Sequence, residues 1–229
     1  PRMGLSLALL GILAASSLAQ GASFEAAKKE YDESLKLSSL WTRVKAMEGY
    51  ANTGDKRALD ALIARSTAPE KPEDHVRFLA AQLAAQGFND AGTVSTWQAW
   101  HKKQSKPEDV WQRFYTNRVI YKNEGADPVL ADARNSKTDA YLRVAAIETL
   151  AHRKDKSLLT LIPELLADLP SKELNKSLIL EACMSGLLAM KEHRGADEFK
   201  AAAVPMIELL QDPKLPERTR LIFVRYLTR

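Results

Sequence analysis

The side chains best suited to chemistry in this sequence are the aromatic and cationic residues crowded between Trp97 and Tyr121. Tryptophan and tyrosine rings with cations beside them suit the binding of a protein, a peptide, a glycan or stacked bases. The alternative is that the rings fill a wide gap between packed helices while the lysines stay in solvent. The candidate partner-binding surface consists of Trp97, Trp100, His101, Lys102, Lys103, Trp111, Arg113, Tyr115 and Arg118.

No catalytic, cofactor-binding or metal-binding motif accompanies this cluster. The four histidines are His75, His101, His152 and His193, and none has a second ligand at the spacing of a zinc-binding helix. The sequence has no nucleophile elbow, phosphate-binding loop or dinucleotide-binding glycine pattern. Its single cysteine, Cys183, lies in an apolar run and is expected to be a small buried residue. We therefore expect no cofactor and no metal, and we assign no catalytic residue.

The composition is typical of a folded protein. Of the 229 residues, 45% are hydrophobic and 27% are charged, and the formal net charge is +4. This small basic excess permits a weak preference for acidic partners. A nucleic-acid-binding protein would concentrate its cations on one face, which the sequence does not establish.

The elements that must position these residues are clearest between Leu142 and Leu166. Apolar residues recur three and four positions apart over Arg143–His152 and again over Lys156–Leu166, which predicts two short amphipathic helices. Asp155 lies in the tight turn between them. Such a hairpin cannot bury both apolar faces alone, so it needs similar neighbours along the chain.

The chain supplies those neighbours as variants of one pattern. Each of the first four units begins with an Arg before an apolar helix and has an Asp 12 to 14 residues later, at the turn to a second helix, whereas Ser177 replaces the Arg in the fifth. The tetrapeptide Lys-Pro-Glu-Asp marks two breaks between units, at residues 71–74 and 106–109. Helix–turn–helix repeats of this length predict an α-solenoid. The repeat positions are Arg43, Asp55, Arg77, Asp90, Arg113, Asp127, Arg143 and Asp155.

These repeated residues have structural roles in the predicted fold. Each turn Asp is expected to cap the second helix of its unit, most clearly at Asp127 before Pro128. Gly54 and Gly87 are expected to take the left-handed conformation that ends the first helix. The repeated Arg is expected to reach a turn Asp of the same or the adjacent unit, which would form a ladder along the stack.

The units resemble HEAT repeats, in a short form also found in phycobilisome-lyase-like proteins. The resemblance rests on Arg143-Val144-Ala145-Ala146, the Gly54-Asp55 and Lys154-Asp155 turns, and the Leu59–Ile63 and Leu158–Ile162 helices. It covers residues 39–229, although the second and third units carry Trp and Phe where small residues are expected. It implies an all-α, right-handed α-solenoid of about five to six helical hairpins. It says little about function, because such repeats mostly bind or scaffold other proteins.

The N-terminal sequence predicts export. Arg2 and the uncharged run Leu5–Leu18 are followed by small residues at the positions that a signal peptidase recognises, with cleavage expected near Ala19. The run is shorter than the roughly 20 apolar residues of a membrane span, so we expect no stable membrane anchor after cleavage. An uncleaved anchoring helix is the alternative.

The sequence predicts three regions along the chain. A signal peptide at 1–19 precedes a helical cap at 20–38 and the repeat array at 39–229. The units lie near 39–70, 74–106, 109–137, 140–170 and 173–212, with a partial unit at 216–229. Because that partial unit contains only a first helix, we expect it either to dock on the fifth unit or to continue into a longer chain.

Three functions are compatible with these features. The favoured one is an exported, non-enzymatic scaffold that binds another protein or peptide. The second is the repeat region of a larger exported enzyme, or a lyase-like HEAT protein. The third is a nucleic-acid-binding HEAT-like protein, which export disfavours, so we expect no nucleic-acid partner.

Overall fold

The chain is all-α over the residues that its structure, a computed structural model, describes: 23–67, 74–213, 215 and 220–221. No β-strand occurs in these ranges, which confirms the predicted all-α class. Eleven α-helices lie between residues 23 and 213: α1 Phe24–Ser34, α2 Leu40–Ala51, α3 Lys56–Thr67, α4 Asp74–Gly87, α5 Val94–Lys103, α6 Val110–Glu124, α7 Asp127–Arg134, α8 Ala140–Arg153, α9 Ser157–Ala167, α10 Glu173–Ala189 and α11 Asp197–Gln211. Short 3₁₀ helices at Pro107–Asp109 and Lys191–His193 precede α6 and α11.

Three features predicted from the sequence lie wholly or mostly outside the described residues. They are the signal peptide at 1–19, the first Lys-Pro-Glu-Asp break and the partial unit at 216–229. Over the described ranges, none of the helices has the length and apolar character needed to cross a membrane. The same ranges contain no cluster of three His, Cys, Asp or Glu side chains arranged to hold a metal ion.

Helices α8 and α9 form the hairpin that the sequence predicts between Leu142 and Leu166. Helix α8 begins after Asp139, whose carboxylate accepts a hydrogen bond from the Tyr141 main-chain N–H at 2.9 Å. It ends at Lys154, which has a left-handed conformation with φ 52°. The Asp155 carboxylate then accepts the Ser157 N–H at 2.9 Å, at the start of α9. Local sequence therefore determines both ends of α8 and the turn that follows it.

The first hairpin repeats this turn. Gly54 has the predicted positive φ, 67°, but it lies two residues beyond Asn52, the C-cap of α2, and so does not itself end that helix. Asp55 accepts the Arg57 N–H at 2.9 Å and so caps the start of α3, as predicted. Gly54 and Lys154 thus both have a positive φ directly before the turn Asp, which only glycine adopts without steric cost.

The predictions for the second and third turns need correction. Gly87 is not left-handed; it ends α4 at a point where a Cβ would lie 3.1 Å from the Ala51 carbonyl oxygen, so its small size allows α4 to approach α2. Asp127 is the first residue of α7 rather than its cap, and the preceding Ala126 makes no side-chain cap. Asp90 accepts the Gly92 N–H at 2.8 Å within the turn that leads to α5.

The four repeated arginines share one contact, which differs from the predicted ladder. Each donates a hydrogen bond to a main-chain carbonyl near the end of the preceding helix, where the helix dipole favours a cation. The donor–acceptor pairs are Arg43 to Leu37, Arg77 to Ser66 at 3.0 Å, Arg113 to Gln104 at 2.6 Å and Arg143 to Ala133 at 2.9 Å. The predicted pairing with a turn Asp is wrong for Arg113 and Arg143, because Arg113 pairs with Asp132 of α7 and the hydrogen bond of Arg143 goes to a carbonyl.

Consecutive helices pack in series along the chain. Helix α1 lies on α2, where Tyr31 stacks on Tyr50 with ring centroids 4.9 Å apart. The first helices of successive units, α2, α4, α6, α8 and α10, each contact the next. The second helices α3, α5 and α7 pack against the first helix of the following unit. Each unit therefore buries its apolar faces mainly against its neighbours in sequence.

The interior is divided into two apolar cores at α6. One core is built from α1 to α6 and includes Leu59, Leu62 and Trp97. The other is built from α7 to α11 and includes Ile147, Leu161 and Ile179. Between them lies a buried polar layer, which consists of Gln104, Gln112, Arg113, Thr116, Asn117 and Asp132.

Candidate functional site

Two of the three tryptophans in the candidate binding surface are core residues. Trp97 has 0% exposure and donates its indole N–H to the Phe88 carbonyl oxygen at 2.7 Å. Trp100 is also buried, with its ring centroid 5.4 Å from that of Trp97. Trp97 and Trp100 therefore do not form the binding surface that the sequence predicted. Both rings fill the first apolar core, which was the alternative considered for this cluster.

Tyr115 and Arg113 are also buried. The Tyr115 ring lies edge-on to Phe78 at 5.6 Å, and burial raises the pKa of its hydroxyl to about 12. Arg113 is enclosed in the polar layer. These two residues therefore support the helix packing and are not available to a partner in this conformation.

Trp111 is different, because 47% of it is exposed. Its ring meets Phe78 of α4 edge-on at 5.2 Å and Phe114 of α6 at 6.5 Å. Phe114 in turn contacts the His152 ring of α8 at 6.3 Å. These four side chains, Phe78, Trp111, Phe114 and His152, form a surface across three successive first helices, and we call it the aromatic face.

Two arginines border the aromatic face. The Arg118 guanidinium lies over the Phe114 ring at 5.7 Å, and that of Arg153 lies over the Tyr121 ring at 5.5 Å. Arg153 also reaches the Arg118 main-chain carbonyl at 3.5 Å. Burial, followed by the charge of Arg153, lowers the pKa of Arg118 from its ordinary value. The two cations thus lie close enough to repel each other.

The same cations act on His152. Burial lowers the pKa of this imidazole below its ordinary value of 6.5, and the charges of Arg118 and Arg153 lower it further. At neutral pH the ring is therefore uncharged and presents an aromatic surface beside Phe114. An anion bound between the arginines would favour its protonated form.

The polar layer is held by a charge-assisted network. Arg113 donates to Asp132 at 3.0 Å and contacts the His101 ring, and Asn117 donates to the other Asp132 oxygen at 3.3 Å. The Gln104 amide donates to Thr116 at 3.0 Å. Four atoms of the layer have no hydrogen-bond partner among the described residues, namely Gln104 Oε1, Gln112 Oε1, Arg113 Nε and Asn117 Oδ1. Each such atom costs about 1–3 kcal/mol, so the layer is less stable than an apolar core of the same volume.

The remaining candidates lie at the end of α5. His101 is half-buried against Arg113, whereas Lys102 and Lys103 are exposed. Lys103 borders an open cleft of about 750 Å³ between α3 and α5, which Ile63 and Trp100 also line. The polar atoms of the cleft that lack a partner, Trp100 Nε1 and Gln104 Oε1, are enclosed and out of reach of a ligand. We therefore assign no ligand to the cleft.

The structure brings only part of the candidate surface together. Trp111 lies on the aromatic face and Arg118 borders it, while Trp97, Trp100, Arg113 and Tyr115 lie beneath it or in the core. No known protein family, curated protein or solved structure matches the chain. The site must therefore be interpreted from its own geometry.

Sequence reasoning did not assign several residues of the surface and its supporting layer, among them Phe78, His152, Arg153 and Asp132. Phe78 and His152 come from the units before and after α6, and Arg153 adjoins His152. Asp132 is the buried counter-ion of Arg113. One signal was available for Phe78, since it follows Arg77 as Phe114 follows Arg113 and so shares its repeat position.

Proposed function

We propose that this chain is a HEAT-like, right-handed α-solenoid that works as an exported, non-enzymatic scaffold for another protein or peptide. The architectural part rests on the serial packing of first helices and on the recurring arginine-to-carbonyl contact. A contact that recurs in four successive units is expected of a repeat array, in which each hairpin is stabilised by its neighbours.

The observation that carries the binding function is the aromatic face. Nearly half of the Trp111 side chain is open to solvent, yet its ring is held by edge-on contacts to Phe78 and Phe114. A rigid, exposed aromatic residue loses little conformational entropy when it binds a partner, and tryptophan and arginine dominate binding energies at protein interfaces. The neighbouring repeat units support the helices that carry these aromatic residues.

Export is proposed from the N-terminal sequence alone. The run Leu5–Leu18 and the small residues that precede Gln20 are typical of a secretion signal. N-terminal sequencing of the protein recovered from its native cells tests this part. Mature chains that begin at Gln20 or within a few residues of it are expected, and retention of residues 1–19 would contradict cleavage.

The binding function is tested with two matched tryptophan variants. Trp41 and Trp111 each lie two residues before a repeat Arg, and both are exposed, but Trp41 lies on α2 outside the aromatic face. Tagged full-length Trp111→Ala and Trp41→Ala chains are compared with the parent chain after mild cross-linking in native cells. A polypeptide that co-purifies with the parent and with Trp41→Ala, but not with Trp111→Ala, is the expected result. Identical co-purification with all three chains would contradict the proposal.

A further inference from the structure

Arg118 and Arg153 are two neighbouring cations that pair with no carboxylate in the described part of the chain. They project from α6 and α8, and Arg153 reaches the Arg118 carbonyl. Neither guanidinium forms an ion pair with a carboxylate of the described residues; their contacts are with aromatic rings and a main-chain oxygen. The charge of Arg153 lowers the pKa of Arg118, so the two like charges repel each other unless an anion lies near them.

The guanidinium groups of Arg118 and Arg153 each lie over aromatic rings. Arg118 lies over Phe114 and Tyr115, and Arg153 lies over Tyr121. The Tyr121 hydroxyl is itself fixed by a hydrogen bond to Asp155 at 2.5 Å. The planar guanidinium is itself pre-organised, so less entropy is lost for each hydrogen bond that its N–H groups make to an acceptor. The planar guanidinium matches a carboxylate through two parallel hydrogen bonds.

We propose that Arg118 and Arg153 bind a carboxylate of a protein segment whose adjacent aromatic or aliphatic side chain packs on Trp111 and Phe114. This inference rests on the proposed scaffold function and specifies the chemistry of the partner. The acidic side chain relieves the repulsion between the two arginines, while the apolar one covers the exposed indole.

A single carboxylate is favoured over a run of phosphates by the acidic group beside the pair. Tyr121, which lies beneath Arg153, is hydrogen-bonded to the Asp155 carboxylate at 2.5 Å. A nucleic-acid strand that passed Arg153 would bring further phosphates close to this carboxylate, whereas one acidic side chain needs to meet only the arginines. Binding of a nucleic acid is therefore an outcome that the test must detect.

Selection of peptides from a random displayed library on the full-length chain tests the inference. The expected peptides carry Asp or Glu beside an aromatic or aliphatic residue. Their synthetic forms should lose affinity at least about tenfold when the acidic residue becomes its amide, and similarly with Arg118→Glu combined with Arg153→Glu. The matched control, Lys36→Glu combined with Lys137→Glu, reverses two exposed charges elsewhere and should change affinity less than about twofold.

Each other outcome overturns the inference. Selected peptides without an acidic residue, or with affinity unaffected by the arginine reversals, would leave the scaffold function standing but remove the carboxylate site. Retention of a single-stranded oligonucleotide that is lost with the arginine reversals would assign the pair to phosphate instead. If the double variant unfolds, the peptide affinity of the single variant Arg153→Glu is measured instead, because the Arg153 side chain is exposed. Selection of no peptide would also reject the carboxylate site, and the scaffold function is judged separately by the tryptophan variants.

Discussion

Arg143 Nε lies 2.9 Å from the main-chain carbonyl oxygen of Ala133, a bond that joins the start of α8 to the last turn of α7. Arg143 is only 2% exposed. Removal of its guanidinium would leave that carbonyl without this donor in the protein interior. The bond therefore couples two successive units, as its counterparts at Arg77 and Arg113 do.

Replacement of this arginine should destabilise the chain. Arg143→Met keeps the apolar stem but removes the donor, and we expect a loss of about 1–3 kcal/mol in the free energy of unfolding. Urea unfolding followed by circular dichroism measures it. Arg134→Met is the matched control, because Arg134 forms an exposed ion pair with Glu164, which contributes less than about 1 kcal/mol. Equal losses in the two variants would contradict a special role for Arg143.

The polar layer should respond differently to single and double substitution. Asp132→Leu leaves the Arg113 guanidinium buried without its carboxylate, and a loss of about 3–5 kcal/mol is expected. Arg113→Met combined with Asp132→Leu removes both charges, so the double variant should recover most of that loss. The denaturant midpoints of the parent, the two single variants and the double variant are measured, and together they form a double-mutant cycle. A double variant as unstable as the sum of the singles would show that the pair is not coupled.

Two glycines on the first hairpin should respond in opposite directions. Gly54 has φ 67°, so Gly54→Ala is strained and should cost about 1 kcal/mol. Gly49 lies within α2 with open space around it, and Gly49→Ala should stabilise the chain by about 0.5–1 kcal/mol. Thermal unfolding of both variants is the measurement. Stabilisation of the chain by Gly54→Ala would contradict the positive φ of Gly54, and destabilisation by Gly49→Ala would contradict the open space around Gly49.

The pKa of His152 should report on the arginine pair. Burial and then the charge of Arg118 lower it, so Arg118→Gln should raise it part of the way back towards 6.5. Because the folded pKa is lowered, the unfolded chain binds the proton more readily, and this histidine reduces stability as pH falls through about 6.5. The arginine substitution should lessen that reduction. NMR titration of the imidazole Cε1–H resonances measures the pKa, with Lys137→Gln as control. An unchanged value in Arg118→Gln would place the guanidinium away from the ring.

The sequence was sufficient to predict the helical hairpins because their signals are local. Apolar spacing located α8 and α9, and Asp155 and Gly54 marked turns that the structure contains. These features depend on residues within one or two turns of each other. The all-α class follows directly from them.

Burial and long-range pairing could not be predicted in the same way. Trp97 and Trp111 have the same side chain, but one is enclosed by the apolar core while the other lies at its edge. The sequence predicted a turn Asp as the partner of Arg113, and only the packing of α6 on α7 decides that Asp132 is its partner. The inner side of α6 carries buried polar residues, so periodicity did not mark it as a buried face.

The contact made by position 111 tests the scaffold function most directly. A photoreactive benzoylphenylalanine is placed at Trp111, or at Trp41 in the control, and the full-length chain is irradiated in its native cells. Because Trp111 belongs to the aromatic face and Trp41 does not, we expect a discrete cross-linked polypeptide at position 111 alone. No cross-link at position 111, or the same products at both positions, would contradict a specific partner on the aromatic face.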